Sequence, residues 1–321
     1  MEMRGPAAVG GKCSATRSRR HTLALMLGAF PCLRGALAAA ADTNAPVRLV
    51  ISESLVADVN LNDARAAMQI WVRRMAQDLK VVVEFNPRAF DTTEEVLRRT
   101  RGGQFDCVAL NVVEYRQIAD LLDGSQIIAE GGAAGLEQYV LLAKRTGGIQ
   151  HLGDLRGRRV CMLKGPKMCV ASAWLSTILD EAHLGSSEQF LGVVTTDTKA
   201  SRVVLPVFFG QADACLTTKR SFDTMGELNP QVAKDLTVIA SSPALVVTFY
   251  IFRKNYRGLS QESFAKVYSD LPATAAGRQI ATLFQFESLV VKDIGCLAPA
   301  LAVLQAADRV HGRQGAGGRK G

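Results

Sequence analysis

Two lysines, Lys164 and Lys167, lie in a short loop between a predicted strand and a predicted helix in the middle of the chain. A helix N-terminus presents unpaired backbone N–H groups and the positive end of the helix dipole. Two cations at such a place favour an anionic ligand. The alternative is that Gly165 and Pro166 simply turn the chain and that both lysines are solvated.

Hydroxyl, amide and charged side chains also follow the ends of other predicted strands. Because ligands of open α/β sheets bind beyond the carboxyl ends of the strands, these side chains are candidate ligand-binding residues. With the two lysines, the candidates are Ser52, Glu53, Ser54, Asn111, Lys164, Lys167, Ser172, Thr196, Thr198, Lys199, Arg202, Thr217 and Thr218. Hydroxyls, amides and a few cations in one cleft suit a small oxyanion. For each residue separately, the alternative is a helix cap or a solvated side chain.

The sequence carries no enzyme signature. It contains no G-x-S-x-G, no G-x-x-x-x-G-K-[ST], no G-x-G-x-x-G after a strand and no H-E-x-x-H. Cys169 is a candidate activated thiol, because a helix N-terminus and Lys167 would lower its pKa. However, neither His151 nor His183 is placed by the sequence to act as its base. These histidines also have no second ligand at helical or turn spacing, so we expect no metal, no cofactor and no catalysis.

The first 41 residues are predicted to be an export signal that is removed. Arg19 and Arg20 precede a short apolar run, and small residues follow it. A charged segment, a short apolar segment and an A-x-A-like site together predict a secretory signal, and the apolar run is too short to span a bilayer. We expect cleavage between Ala38 and Ala41 and a periplasmic protein. The paired arginines hint at the twin-arginine route.

Composition and charge exclude several classes of protein. A chain of 321 residues with 48% hydrophobic and 21% charged residues is typical of one large or two medium globular domains. Without residues 1–41 it has 32 basic and 29 acidic residues, so the net charge falls from +8 to +3. Since no dense basic stripe with interleaved aromatic residues occurs, we expect no nucleic-acid partner.

Five cysteines remain after the predicted signal, so at least one of them is unpaired within the chain. Cys161 and Cys169 flank the loop that contains the two lysines. They could form a disulfide in an oxidising compartment. Each also has apolar neighbours, as a buried cysteine would, and we favour two buried thiols.

Alternating strands and helices predict an α/β fold built from two wound sheets. Asn62 or Asp63 is the predicted cap of the first helix. The predicted strands are 47–52, 81–85, 105–113, 139–144, 159–163, 190–195, 213–217 and 244–253. The first predicted helix ends at residue 79, the second begins at residue 91, and a long helix after the lysine loop ends at about residue 183. Further helices are predicted over 201–209, 261–271, 273–284 and 297–309. The strand 244–253 is long enough to return the chain to the first sheet. Residues 312–321 are predicted to be a disordered tail.

Several phrases of the sequence resemble those of a known family. The run GIQHLGDLRGRRV, residues 148–160, is similar to the "GI-x-x-L-x-DL-x-G-x-x-V" signature of type II periplasmic binding proteins. Four further phrases resemble the phosphate/phosphite/phosphonate-type solute-binding subfamily, namely Gly103-x-Phe105-Asp106, GQADA at 210–214, SSP at 241–243 and Gly277-Arg278-x-Ile280. Their order and spacing are similar over residues 46–310.

This resemblance implies a two-lobed type II fold in which crossing hinge strands join the two wound sheets. Lobe one would comprise residues 42–136 and 246–311, and lobe two residues 137–245. The implied function is capture of a small oxyanion, such as phosphate, phosphite or a phosphonate, for the permease of an ABC transporter by a monomeric protein. The second hypothesis is a sensory or accessory periplasmic protein of the same fold, which binds a different ligand or a protein partner.

The chain also departs from the pattern of phosphonate-binding members. Where they usually carry a Ser-Thr-Ser run before the helix of lobe two, this chain has Lys167, Met168 and Cys169. Ala200 and Ser201 stand at the position expected for a histidine and an acid. These departures argue against an aminoalkylphosphonate as the ligand.

Overall fold

The structure, a computed structural model, describes residues 46–86, 88, 90–283 and 287–317. The predicted signal, residues 1–41, therefore lies outside the described residues. In the described part of the chain, no helix is both long enough and apolar enough to cross a membrane.

Strands and helices alternate along most of the described chain. The strands are β1 (Val47–Ile51), β2 (Val83–Phe85), β3 (Cys107–Asn111), β4 (Gln126–Glu130), β5 (Tyr139–Lys144), β6 (Val160–Leu163), β7 (Val194–Asp197), β8 (Ala214–Thr218), β9 (Leu236–Ser241), β10 (Thr248–Phe252) and β11 (Leu289–Asp293). The α-helices are α1 (Leu61–Leu79), α2 (Thr93–Arg101), α3 (Val112–Tyr115), α4 (Ala171–Glu181), α5 (Ser187–Phe190), α6 (Ala200–Phe208), α7 (Lys219–Leu228), α8 (Pro230–Asp235), α9 (Gln261–Asp270), α10 (Ala275–Leu283) and α11 (Ala298–Gly317).

The sheet of lobe one has six strands in the order β11-β4-β10-β3-β1-β2. Strand β1 pairs in parallel with β2 and β3, as a wound unit requires. All five residues of β3 are buried, because the core covers both faces of this central strand. Strand β10 pairs antiparallel with β3 and β4, which shows that the chain returns to this sheet after lobe two.

The sheet of lobe two has five strands in the order β7-β6-β8-β5-β9. Strand β6 is parallel to β7 and β8, whereas β5 is antiparallel to β8 and β9. The carboxyl ends of the three parallel strands therefore meet at one edge of the sheet. This edge holds the loop of Lys164 and Lys167, which leads through a 3-10 turn (Pro166–Met168) into α4.

Two extended segments join the lobes and pair with each other. Glu137 and Leu245 exchange backbone hydrogen bonds, and both N–H···O distances are 2.8 Å. The two segments thus form a narrow antiparallel ribbon between the sheets. Two mixed α/β sheets connected in this way confirm the predicted fold class.

Several element boundaries differ from the predictions. Asn60 caps α1, because its Oδ1 accepts from the N–H groups of Asn62 and Asp63, which lie inside the helix. In the predicted strand 190–195, Phe190 ends α5 and β7 begins only at Val194. Phe190 is buried in the lobe core, and its apolar character made the strand appear to start too early.

The end of the chain also differs from the predictions. Helix α11 extends to Gly317, well into the predicted tail, and residues 318–321 lie outside the described part. Its apolar residues Ala300, Val303 and Leu304 share one core cluster with Trp174 and other residues of α4. The predicted lobe one included this helix, but α11 packs mainly on α4 of lobe two.

Candidate functional site

Four hydrogen-bond donors of lobe one surround the carboxylate of Glu114, at the carboxyl ends of β1 and β3. The hydroxyls of Ser52 and Thr93 each donate to Oε1 at 2.6 Å, and the hydroxyl of Ser54 donates to Oε2 at 3.1 Å. The backbone N–H of Asn111 also donates to Oε2 at 3.1 Å. Glu114 is only 2% exposed, so it is a buried charge whose oxygens are well supplied with donors.

We refer to these five residues as the Glu114 network. It contains three of the predicted ligand-binding residues, Ser52, Ser54 and Asn111. The amide of Asn111 is used locally as well, since Oδ1 accepts from the N–H groups of Val113 and Glu114 and caps α3. In this structure the hydroxyls of Ser52 and Ser54 and the backbone N–H of Asn111 bind a carboxylate of the protein itself.

Lys167 lies in an ion cluster that joins the two lobes. Its Nζ is 3.1 Å from Oε2 of Glu130, at the end of β4 in lobe one, and 3.1 Å from Oε1 of Glu137, on the hinge ribbon. Arg220, in α7 of lobe two, is 3.9 Å from Glu130 and 4.0 Å from Glu137. We refer to these four residues as the Lys167 cluster. The cation predicted to bind an anionic ligand is thus paired with two carboxylates.

The carboxylates of the Lys167 cluster are incompletely hydrogen-bonded. Oε1 of Glu130 and Oε1 of Glu137 are buried and, among the described residues, make ion pairs but no hydrogen bond of good geometry. Burial raises the pKa of Glu130, and the nearby Lys167 partly opposes the increase. Burial also raises the pKa of Asp58, whose carboxylate lies beside Gly165 of the lysine loop.

A cavity of about 130 Å³ opens beside the Lys167 cluster and extends into lobe one. It lies between the sheet and helices α1, α9 and α10. Polar groups at its mouth are Asp58, Glu130 and Lys167, whereas the interior is apolar and aromatic. Interior residues include Ile51, Val56, Met68, Trp71, Phe90, Ile128, Tyr250, Tyr268, Ile280 and Leu289.

Three other predicted residues, Lys164, Ser172 and Thr196, line a second cavity of about 540 Å³ in lobe two. This cavity lies between the β6–β7 edge and helices α4 and α5, and it shares no lining residue with the first. Glu188 and His311 also line it. These three residues therefore line a different cavity from the one beside the Lys167 cluster.

The other predicted residues of lobe two do not line either cavity. Thr198, Lys199 and Arg202 are exposed at the start of α6, where the backbone N–H of Lys199 donates to Oδ1 of Asp197 at 2.8 Å. This hydrogen bond is the main reason that the pKa of Asp197 is lowered, although burial opposes it. Arg202 lies 3.6 Å from the same carboxylate.

The two threonines at the end of β8 have different environments. Thr217 is fully buried, and its hydroxyl has no hydrogen-bond partner among the described residues. The hydroxyl of Thr218 accepts from the N–H of Ser221 at 3.1 Å and caps α7. Glu53, the remaining candidate, is exposed. The thirteen predicted binding residues are therefore distributed over several places and do not converge on one cleft in this structure.

Cys169 is not an activated thiol. Burial, reinforced by the charge of Glu114, raises its pKa to about 12, so the sequence-based expectation of a lowered pKa was wrong. The five cysteines of the described chain are free, and Sγ of Cys161 lies 3.2 Å from Oγ1 of Thr195. In the same part of the chain, no group of three or more His, Cys, Asp or Glu side chains is arranged to hold a metal ion.

Sequence reasoning missed the acidic side chains of the site. Glu114, Glu130, Glu137 and Asp58 were not among the candidates, because the expected ligand was an anion. A signal existed for Glu130, which ends a buried strand directly before two glycines. The aromatic interior of the cavity had no comparable signal, because its members come from distant helices and strands.

Two wound sheets joined by a paired ribbon are the fold of the type II periplasmic binding proteins. The family model described as "ABC transporter, phosphonate, periplasmic substrate-binding protein" matches residues 54–293. The chain belongs to this family, which consists of exported solute-binding components of transporters and not of enzymes. No curated protein matches the chain.

Solved structures of low sequence identity share the fold. A binding-protein component of an ABC phosphonate transporter from Pseudomonas aeruginosa is 14% identical, with a TM-score of 0.51 over 84% of this chain and 88% of that one. PhnD1 from Prochlorococcus marinus, solved with methylphosphonate, is 13% identical, with a TM-score of 0.55 over 82% and 98%. XAC2383 from Xanthomonas citri, solved with ATP, is 12% identical, with a TM-score of 0.55 over 83% and 98%.

Proposed function

We propose that this chain is the exported solute-binding component of an ABC transporter, which captures a small solute between its lobes and delivers it to a membrane permease. The Lys167 cluster is the observation that carries this proposal. It places a cation of lobe two against carboxylates of lobe one and of the hinge, at the mouth of a cavity. A ligand that enters there changes the contacts that hold the lobes together, and hinge closure is how such proteins report occupancy.

The family and the sequence favour a small oxyanion as this solute. An oxyanion at the Lys167 cluster would have to compete with Glu130 and Glu137 for the two cations. Asp58 at the mouth of the cavity and the adjacent Lys167 cluster together carry three carboxylates and two cations. This excess of negative charge supports a second candidate, a protein of the same fold that binds another class of ligand and serves transport or a sensory role.

A thermal-shift panel on the chain from residue 42 tests the proposal. The panel contains phosphate, phosphite, methylphosphonate, sulfate, small carboxylates and small amines. A ligand at one hundred times its dissociation constant adds about 2.7 kcal/mol, which is a measurable shift for a chain of this size. Binding of any one solute supports solute capture. A folded protein that none of them stabilises would contradict it.

Two lysine variants then distinguish the ligand classes. If an oxyanion binds at the Lys167 cluster, Lys167→Ala abolishes its thermal shift. Lys199→Ala is the matched control, because it removes the same charge from an exposed position at the start of α6. Loss of the shift in both variants would instead indicate a site on the open edge of lobe two. Purified permease in vesicles, mixed with the loaded protein, tests delivery.

A further inference from the structure

The interior of the lobe-one cavity has the wrong chemistry for an isolated oxyanion. Met68, Phe90, Ile128 and Ile280 are among the side chains that line it, and each is at most 5% exposed. A charge held against such walls without a hydrogen-bonding partner is strongly unfavourable. A ligand that fills this interior must therefore present apolar surface to it.

One of the residues that line the cavity carries a hydrogen-bond donor that lacks an acceptor. Trp71 is 1% exposed, and its Nε1–H has no partner among the described residues. An indole nitrogen can only donate, so it needs an acceptor atom. The hydroxyls of the neighbouring Tyr250 and Tyr268 are hydrogen-bonded to each other. The ligand therefore needs an acceptor, such as an oxygen, at its inner end.

The mouth of the cavity has the opposite requirement. Glu130 lines the cavity, and its Oε1 is buried without a hydrogen-bond partner in the described chain. An ionised carboxylate can only accept, so it needs a donor. At the mouth, the carboxylates of Asp58 and Glu130 exceed the cation of Lys167 by one negative charge, and a cationic donor would neutralise this excess. An ammonium group meets both requirements.

The volume limits the size of the ligand. A water-sized sphere requires about 10–15 Å³ of such volume, so 130 Å³ holds roughly ten non-hydrogen atoms. This is more than phosphate or methylphosphonate needs and much less than a peptide needs. A single aromatic ring or a short branched chain with one polar group at each end fits this limit.

We infer that the lobe-one cavity binds a small organic amine, with its apolar body among Trp71, Tyr250 and Tyr268, its ammonium group at Glu130 and an acceptor oxygen at Trp71 Nε1. This inference rests on the proposed function, because it names the ligand class of the same cleft. The cationic group and the acceptor lie at opposite ends of the molecule. The site therefore selects against acids of the same shape.

Calorimetric titration of the chain from residue 42 at pH 7 tests this inference. The probe is tyramine, which has a ring, an amine and a phenol oxygen. 4-Hydroxyphenylacetate is the matched acid, and phenethylamine is the matched amine that lacks the oxygen. Tyramine should bind at least about tenfold more tightly than the acid, since the acid places a second anion beside Glu130.

Two conservative variants locate the site. Trp71→Phe keeps an aromatic ring and removes the N–H, so it should weaken tyramine about tenfold and leave phenethylamine nearly unchanged. Glu130→Gln should weaken both amines. Glu181→Gln, at the exposed end of α4, is the control and should change neither. Circular dichroism and thermal unfolding verify that each variant is folded.

Three results would overturn the inference. If methylphosphonate or phosphate binds and the amines do not, the ligand class is wrong while solute capture stands. If tyramine binds equally well to wild type, Trp71→Phe and Glu130→Gln, the amine site is elsewhere. If no amine binds at all, the cavity is not an amine site, and the wider solute panel decides separately whether the protein captures a solute.

Discussion

The Glu114 network and the Lys167 cluster both surround buried carboxylate oxygens, but they differ in how many of those oxygens accept a hydrogen bond. In the Glu114 network, three hydroxyls and a backbone N–H supply both carboxylate oxygens, and all five residues belong to lobe one. In the Lys167 cluster, residues from both lobes and the hinge meet, and two carboxylate oxygens have no hydrogen-bond partner within the described chain. The first group is complete as it stands, whereas the second leaves places for a ligand.

This difference shows how a binding site can be distinguished from a structural polar network. Both groups lie where strands end, and both contain residues that the sequence suggested as ligands for an anion. What separates them is whether donors and acceptors are already matched. A matched network stabilises one lobe, while an unmatched one at the boundary between lobes can respond to a solute.

The largest expected effect comes from breaking the complete network. Glu114→Ala leaves three hydroxyls and the N–H of Asn111 without their acceptor, and should lower the free energy of unfolding by about 3 kcal/mol. Glu114→Gln keeps one acceptor oxygen and should cost less. Urea unfolding measures both. Glu95→Ala, which removes the capping box of α2, is the control at about 1 kcal/mol. If Glu114→Ala and Glu95→Ala lower the free energy of unfolding equally, the Glu114 network does not stabilise the fold more than one helix cap does.

A smaller effect is expected in the Lys167 cluster, where the size of the destabilisation depends on pH. Among the described residues, Lys167→Met leaves Arg220 as the remaining ion-pair partner of Glu130 and Glu137, and it should cost about 2 kcal/mol at pH 8. Without Lys167, the pKa of Glu130, already raised by burial, rises further above its value in the unfolded chain. The penalty is therefore present above the folded-state pKa and disappears as the pH falls through it.

Urea unfolding of wild type and Lys167→Met at pH 8 and at pH 5 checks this expectation. The stability difference between the two proteins should shrink at pH 5. Lys199→Met is the control, because Lys199 is exposed and should give no pH-dependent difference. If Lys167→Met lowers the free energy of unfolding equally at both values of pH, Lys167 does not offset the cost of burying the two ionised carboxylates.

The smallest effect concerns the neighbouring threonines Thr217 and Thr218. Thr217→Val removes a buried hydroxyl that has no partner among the described residues, so it should leave stability unchanged or raise it by up to about 1 kcal/mol. Thr218→Val removes the cap of α7 and should lower stability by about 1 kcal/mol. Melting temperatures measure both. Equal destabilisation by the two substitutions would refute the distinction between matched and unmatched groups.

The sequence predicts the fold well where apolar patterns are strong. Strand β5 has the predicted bounds, because its residues are apolar and buried up to Lys144. The return of the chain to the first sheet also follows from one apolar run. Strand β7 was misplaced, because it is an edge strand with exposed residues from Val194 onwards and carries little apolar signal. Edge strands depend on pairing with a neighbour, which local sequence does not record.

The site is predicted less well, for a related physical reason. The sequence placed Ser52 and Asn111 at strand ends and Lys167 in the loop after a strand, and the structure finds them there. It did not reveal their partners, since Glu130 and Lys167 are 37 positions apart and no local pattern links them. Ligand contact by the thirteen candidates stays a prediction.

The packing of α11 on α4 has a consequence for the order in which this chain can fold. Residues 298–310 are synthesised more than a hundred positions after α4, yet they complete the core around Trp174. Lobe two is one continuous segment of the chain, but part of its core comes from α11, which is synthesised last. Contacts of such high sequence separation slow folding. The nascent chain should therefore keep an open core in lobe two until its final helix arrives.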